Sequence, residues 1–259
     1  MLNSTIVTIG SGNLATHITL ALHQAGAAIL QVCSPTRDHA VELAARAGAE
    51  AVASLADTVP DADYYIIAVK DDAIPNVVAG LDHVCPDSVV LHTAGSVPMS
   101  VFRDRVGRYG VLYPMQTFSK ARQVDFSSIP CFVEASDEIA MGRVRELAEG
   151  ISHSVIVADS SRRRRLHLAA VFACNMANHC YRLAERVLEG EDIDFRLFSP
   201  LIEETARKIQ YLTPREAQTG PMVRNDVTVM DAQVQLLGDD TMRSIYRLMA
   251  ESIYRDSKG

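Results

Sequence analysis

The chain has 259 residues, enough for one large domain or two. Its 48% hydrophobic and 22% charged content are those of a soluble globular protein. The formal charge of −7 argues against a general nucleic-acid binder, which needs a net basic footprint.

The first element is a short β-branched strand, Thr5–Ile9, running into Gly10-Ser11-Gly12-Asn13-Leu14-Ala15 and then a helix-like pattern to Ala25. This G-x-G-x-x-A arrangement reads as the strand, turn and helix start of a dinucleotide-binding βαβ unit. Gly10 suits the tight turn, Gly12 lets backbone approach a pyrophosphate, and Ala15 lets the helix lie close to the sheet. Free N–H groups at the helix start, among them those of Asn13 and Leu14, face the phosphates, with Ser11 beside them. An ordinary tight turn is the alternative. The second strand, Ala28–Cys33, ends in Ser34-Pro35-Thr36-Arg37. An acidic residue here would bind the adenosine ribose hydroxyls of NAD, and Asp38 comes too late for that role. The hydroxyls of Ser34 and Thr36 with the Arg37 guanidinium suit a 2′-phosphate, which favours NADP over NAD. Alternatively, Arg37 and Asp38 simply open the next helix.

An alanine-rich helix over 37–48 and a short strand over 49–53 come next. Asp63–Val69 is a continuous apolar run, as expected of a strand covered on both faces. It ends in Lys70-Asp71-Asp72, where Asp72 is placed to cap a helix over 73–81. The strands Ser88–Leu91 and Tyr109–Leu112 end in His92-Thr93-Ala94-Gly95-Ser96 and Tyr113-Pro114-Met115-Gln116-Thr117-Phe118. Ligands of open α/β sheets bind beyond the carboxyl ends of the strands, so these polar ends point to the same crevice as the glycine loop. Val69, Lys70 and Thr93 are thus candidate cofactor contacts, His92 a candidate acid/base and Gln116 a candidate substrate contact. Two more strands, 130–134 and 154–157, flank a helix over 137–150. Beyond them the patterns are helical only, near 160–189, 198–212, 227–237 and 240–255. The fold class is α/β: a Rossmann domain over 1–159, then an all-helical substrate and dimerisation domain over 160–259.

The five cysteines show no CxxC spacing and read as free thiols, and no His/Asp/Glu set suits a metal. No signal-peptide pattern opens the chain and no apolar run reaches the length of a membrane span, so a cytoplasmic location without membrane contact is expected. Arg162–Arg165 either attract anions or form a solvated helix start; the second reading is preferred.

His167, Val171, Asn175 and His179 lie at i, i+4, i+8 and i+12 of one helix, a slowly rotating stripe. His167 is a candidate proton donor or else a surface histidine, and Asn175 a candidate catalytic amide or else a buried structural one. In Thr219–Asp226, Arg224 could hold a substrate carboxylate, or pair with Asp226 to fix the loop. Asp226 is a candidate substrate contact and also placed to cap the helix from Val227.

With these motifs placed, the chain resembles the pyrroline-5-carboxylate reductase-like superfamily, also related to the C-terminal domain of 6-phosphogluconate dehydrogenase. More closely it is similar to a bacterial family joining a Rossmann-like domain to a C-terminal helical domain of unknown function, whose members are described as NADP oxidoreductases or dehydrogenases. The markers are Gly10–Ala15, Ala68–Asp72, His92–Gly95, Tyr113–Phe118, His167–Asn175 and Thr219–Asp226. The family commonly has His-Pro before Gln-Thr-Phe and Arg-Gly-Asp after Gly-Pro; this chain has Tyr113 and Asn225 at those points. In the related β-hydroxyacid dehydrogenases a catalytic lysine lies four residues before the helix asparagine, where this chain has Val171, so that mechanism is not expected. The resemblance implies an NADP-dependent oxidoreductase acting on a small, carboxylated carbonyl or imine compound, and a homodimer formed through the helical domain. A dinucleotide-binding regulatory or scaffold protein without turnover is the alternative.

Overall fold

The computed structural model describes the whole chain, Met1–Gly259. It divides into two compact units, Met1–Cys174 and Asn175–Gly259.

The first unit is built on an eight-stranded sheet. In chain order its elements are β1 (Thr5–Ile9), α1 (Asn13–Gln24), β2 (Ala28–Cys33), α2 (Arg37–Ala47), β3 (Glu50–Val52), β4 (Tyr64–Ile67) and α3 (Ile74–Ala79). Then come β5 (Val89–His92), β6 (Arg108–Pro114), β7 (Cys131–Ala135), α4 (Glu138–Glu149), β8 (Val155–Val157) and α5 (Ser160–Ala170). The spatial order is β3-β2-β1-β4-β5-β6-β7-β8, with β7 antiparallel to β6 and every other pair parallel. Successive strands lead outward from β1 in opposite directions, which makes the β1/β4 boundary a topological switch point.

Side-chain alternation explains the unbroken apolar runs. Ile6, Tyr64, Ile66, Val89 and Leu91 pack on one face with Ile18 and Leu22 of α1, Leu43 of α2 and Val144 and Leu147 of α4. Val7, Ile9, Tyr65, Ile67 and Val90 pack on the other with Ile74 and Val78 of α3 and with Phe102. Both faces are covered, so both parities are apolar. At the other end of the strands, the Thr5 N–H and hydroxyl both donate to Asp63 Oδ2 at 2.8 Å, fixing the chain just ahead of β4 against the start of β1.

Three local expectations are corrected. Asp72 does not cap a helix: Asp71–Ala73 form a 3₁₀ turn, and α3 begins at Ile74 with Pro75 in its first turn and no side-chain cap. The long helix expected over 160–189 is interrupted by a π-helical turn at Val171–Met176, after which α6 spans Ala177–Val187. Nor are the four arginines uniformly solvated. Arg162, Arg164 and Arg165 are exposed, but Arg163 is fully buried. It pairs with Glu134 of β7 and donates to the Val97 carbonyl at 2.6 Å, while Asp159 caps α5 by accepting from the Arg162 N–H at 2.7 Å.

The second unit holds α6, α7 (Ser199–Lys208), α8 (Pro214–Ala217), α9 (Val227–Leu236) and α10 (Asp240–Lys258). Arg186 of α6 pairs with Asp239 at 2.9 Å, and Asp239 caps α10 by accepting from the Met242 N–H. Of its apolar side chains only Val234, Leu237, Met242 and Ala250 are buried, whereas Leu197, Leu201, Tyr211, Leu236 and Leu248 are each more than 60% exposed. All five cysteines are free; Cys33 and Cys131 are buried and the other three half-buried. No helix is long and apolar enough to cross a membrane.

Removing one partner of a buried ion pair strands the other. Arg163→Ala is therefore expected to cost about 3–5 kcal/mol of unfolding free energy. Urea denaturation checks this; a loss below about 1 kcal/mol would show that the pair does not lock α5 to the sheet.

Candidate functional site

At the switch point the backbone opens into a cleft of about 760 Å³. The Gly10 N–H donates to the Cys33 carbonyl and the Ala68 N–H to the Ile9 carbonyl, both at 2.8 Å, so β1 holds β2 and β4 together up to its last residue. Gly10 then turns with φ +118°, and a Cβ there would stand 2.3 Å from the Ala68 carbonyl oxygen. Only glycine fits. Gly12 differs: its φ is −76°, and a Cβ on it would meet nothing within 4 Å. Nothing in the protein requires a bare backbone at Gly12, whereas a ligand lying on the loop would.

The start of α1 supports that reading. Gly12 provides no side-chain cap, and the first helical bond runs from the Thr16 N–H to the Gly12 carbonyl at 2.9 Å. The N–H groups of Asn13, Leu14 and Ala15 thus have no helical acceptor and form a fixed anion-binding end. Residues present here fit the pyrophosphate of a dinucleotide.

Nine of the expected cofactor residues line this cleft: Gly10, Ser11, Gly12, Asn13, Leu14, Ser34, Thr36, Val69 and Lys70. Ser11 donates to the Ser34 hydroxyl at 2.9 Å, and Ser34 accepts from the Thr36 N–H at 3.3 Å, so these hydroxyls also fix the loop after β2. Arg37 and Thr93 stand apart. Arg37 lines a neighbouring hollow with Gln31, Glu50 and Asp57. Thr93 is buried and donates to the Ile67 carbonyl at 3.2 Å, stitching β5 to β4. His39 and Asn76 line the cleft without having been singled out from the sequence. His39 lies in the first turn of α2.

The expected acid/base residues separate in the same way. His92 is fully buried and stacked on Phe102 at 5.4 Å, with Nδ1 accepting from the Ala94 N–H at 3.2 Å. Burial pushes its imidazole down to about 3, and the nearby Arg163 guanidinium adds to the push. It is a neutral core residue rather than a group reaching into the cleft. His167 is half-buried, and its Nδ1 lies 3.0 Å from the Tyr113 hydroxyl, with the two rings edge to face. Gly95 makes room for it, since a Cβ there would come within 2.6 Å of His167 Nδ1. Tyr113 therefore does not stand as a bare replacement for the family's common histidine; it is tied to His167.

Gln116 is exposed and accepts from the Thr117 N–H at 2.9 Å. In the second unit Asn175 is exposed, which sets aside the buried structural amide. Arg224 is exposed and makes no ion pair, so it does not pair with Asp226. Asp226 caps α9, accepting from the Val229 N–H at 3.3 Å. Asn225 has φ +54°, the left-handed region that glycine and asparagine tolerate best, which explains why Asn can replace the family's common Gly. No cluster of metal-ligating side chains is present.

Gly12→Val is expected to weaken dinucleotide binding at least about tenfold, roughly 1.4 kcal/mol, with an unchanged melting temperature. Fluorescence titration and a thermal melt check both, and unaltered affinity would count against the loop. His92 gives a second expectation. Its folded value of about 3 lies below the unfolded 6.5, so the unfolded chain takes up the proton first as pH falls. Its contribution to stability is complete above pH 6.5 and is lost between pH 6.5 and 3, at a slope approaching about 1.4 kcal/mol per unit. His92→Asn, which keeps an acceptor for the Ala94 N–H but cannot titrate, should flatten that slope in denaturation measured against pH.

The sequence matches the family model "NADP oxidoreductase coenzyme F420-dependent" over residues 5–95 and the "Domain of unknown function (DUF2520)" over residues 129–253. No curated protein matches the chain. Among solved structures it is similar to a "putative NADP oxidoreductase" from Bacteroides fragilis, with 44% identity, a TM-score of 0.93, and 97% of this chain and 98% of that one covered. At fold level it is also similar to an imine reductase from Myxococcus stipitatus in complex with NADP+ (15% identity, TM-score 0.64, 98% and 93% covered). A pyrroline-5-carboxylate reductase from Coxiella burnetii shares the fold too (15% identity, TM-score 0.59, 99% and 98% covered). The chain belongs to the family of the Bacteroides protein, a Rossmann-like domain of the NADP-oxidoreductase type followed by a C-terminal helical domain of unknown function.

Proposed function

We propose that the chain is an NADP-dependent oxidoreductase for a small, carboxylated carbonyl or imine compound, working as a homodimer in the cytoplasm. The observation that carries the cofactor half is Gly12, bare without any protein contact to require it, at the uncapped start of α1. Gly10–Leu14 would hold the pyrophosphate, Ser34 and Thr36 the adenosine end, and Val69 and Lys70 the part of the cleft beyond β4. A bound nicotinamide dinucleotide supplies or accepts the hydride; the protein orients and exchanges the proton. His167 is the proposed proton donor, and Arg224, with its charge unpaired, suits a carboxylate. Gln116 and Asn175 are proposed as further polar contacts, because both are exposed.

NADP is preferred to NAD because no acidic side chain comes after β2 before Asp38. The homodimer reading rests on the helical unit, where more large apolar side chains are exposed than buried. The five free cysteines suit a reducing cytoplasm. One observation favours a reading without turnover: Val171 stands where related dehydrogenases carry their proton-transfer lysine.

NADPH should bind at least about tenfold more tightly than NADH, as read by nicotinamide fluorescence; binding of neither would overturn the assignment. With a panel of keto acids and cyclic imines, NADPH oxidation is expected, and His167→Ala should slow it by about 10²–10⁴-fold. Cofactor binding without turnover on any substrate would favour the regulatory reading. Light scattering should give twice the 28.3 kDa chain mass; a monomer would remove the dimer.

A further inference from the structure

We infer that Tyr113 is the positioning residue of the reaction and its internal proton source: its hydroxyl donates to His167 Nδ1, fixing the imidazole in the tautomer whose Nε2–H faces the substrate. The chemistry rests on the oxidoreductase reading above; the tautomer does not.

Tyr113 lies next to last in β6, with its ring stacked on Phe132 at 6.2 Å and only 8% of the residue exposed. The hydroxyl reaches a single protein partner, His167 Nδ1 at 3.0 Å. Burial pushes the phenol above its ordinary value and Asp71 adds to this, while Arg163 opposes it. The phenol therefore keeps its proton at neutral pH, and a hydroxyl proton on a side chain this little exposed needs an acceptor. The one within reach is Nδ1. A neutral imidazole that accepts at Nδ1 must carry its proton on Nε2. Nε2 has no hydrogen-bond partner and is not among the buried unsatisfied atoms, so it is open to solvent. Gly95 completes the arrangement, because any side chain there would displace the ring.

The fixed tautomer gives a balanced reduction. A bound nicotinamide dinucleotide would supply the hydride for the new C–H bond at the carbonyl or imine carbon, with the π pair moving to oxygen or nitrogen. That atom takes the Nε2 proton, His167 Nδ1 takes the proton of Tyr113, and the phenolate is reprotonated from water. NADPH is oxidised to NADP+, and the substrate is reduced to an alcohol or amine. The Tyr113–His167 pair is thus a relay with one outward end.

The test is long-range ¹H–¹⁵N NMR of the histidine side chains of the full-length protein, with the His167 signals assigned by their loss in His167→Gln. The wild type should show neutral His167 as the Nε2–H tautomer, and Tyr113→Phe should turn it into a mixture of both. Gly95→Ala, which pushes the ring off the hydroxyl, should do the same and covers the case in which Tyr113→Phe does not fold. An Nδ1–H tautomer in the wild type, or a folded Tyr113→Phe with an unchanged pattern, would overturn the inference. If the protein turns over a substrate with NADPH, Tyr113→Phe should lower kcat at least about tenfold with KM little changed; an equal change in both would also count against it. Failure to bind NADPH would defeat the oxidoreductase reading while leaving the tautomer as measured.

Discussion

The approach of Gly10 to the Ala68 carbonyl governs the architecture of the first unit. No side chain fits in the 2.3 Å available to a Cβ, and the φ of +118° excludes most residues on conformational grounds as well. Because β1 can close against β4 at this point, the sheet keeps its parallel register through the switch point and the chain leaves β1 directly into α1. The cleft, the uncapped helix start and the exposed backbone at Gly12 all result from that closure. A site built this way binds a charged ligand through fixed backbone dipoles, which need no reorganisation when the ligand arrives.

A second constraint sets the acid/base side. Arg163 is buried where α5 leaves the sheet, and its pairing with Glu134 and the Val97 carbonyl fixes the direction of that helix. His167 comes one turn later and meets Tyr113 beside Gly95. Arg163 also helps keep His92 neutral. One buried cation thus orders the start of the helix, adds to the effect of burial on His92, and lies close enough to Tyr113 to act on its ionisation.

Much of this was legible in the sequence, for identifiable reasons. The glycine turn has a local signature, and the strands announced themselves as apolar runs because both sheet faces are covered. The orientation of His92 was not read: at the end of β5 it looked like a polar group at the crevice, although it continues the parity of Val90, whose side chain packs on the Phe102 face. Nor was that of Arg163, because four identical residues give no pattern by which to choose the inward one. The π-helical turn at Val171–Met176 left no local mark, so the pattern over 160–189 read as one unbroken α-helix. The Tyr113–His167 bond links positions 54 residues apart, and no local pattern encodes such a contact. Arg37, expected at a phosphate from its position after β2, lines a neighbouring hollow with Glu50 and Asp57 rather than the cleft itself.

The central claim, a dinucleotide lying on the bare backbone between β1 and α1, is tested most directly by amide-resolved NMR during NADP+ titration. The account predicts that the largest shifts fall on the Gly12, Asn13 and Leu14 amides, with Ser34 and Thr36 next. Saturable binding that leaves these amides unmoved and shifts instead the groove lined by His17, Arg46 and Lys120 would contradict it.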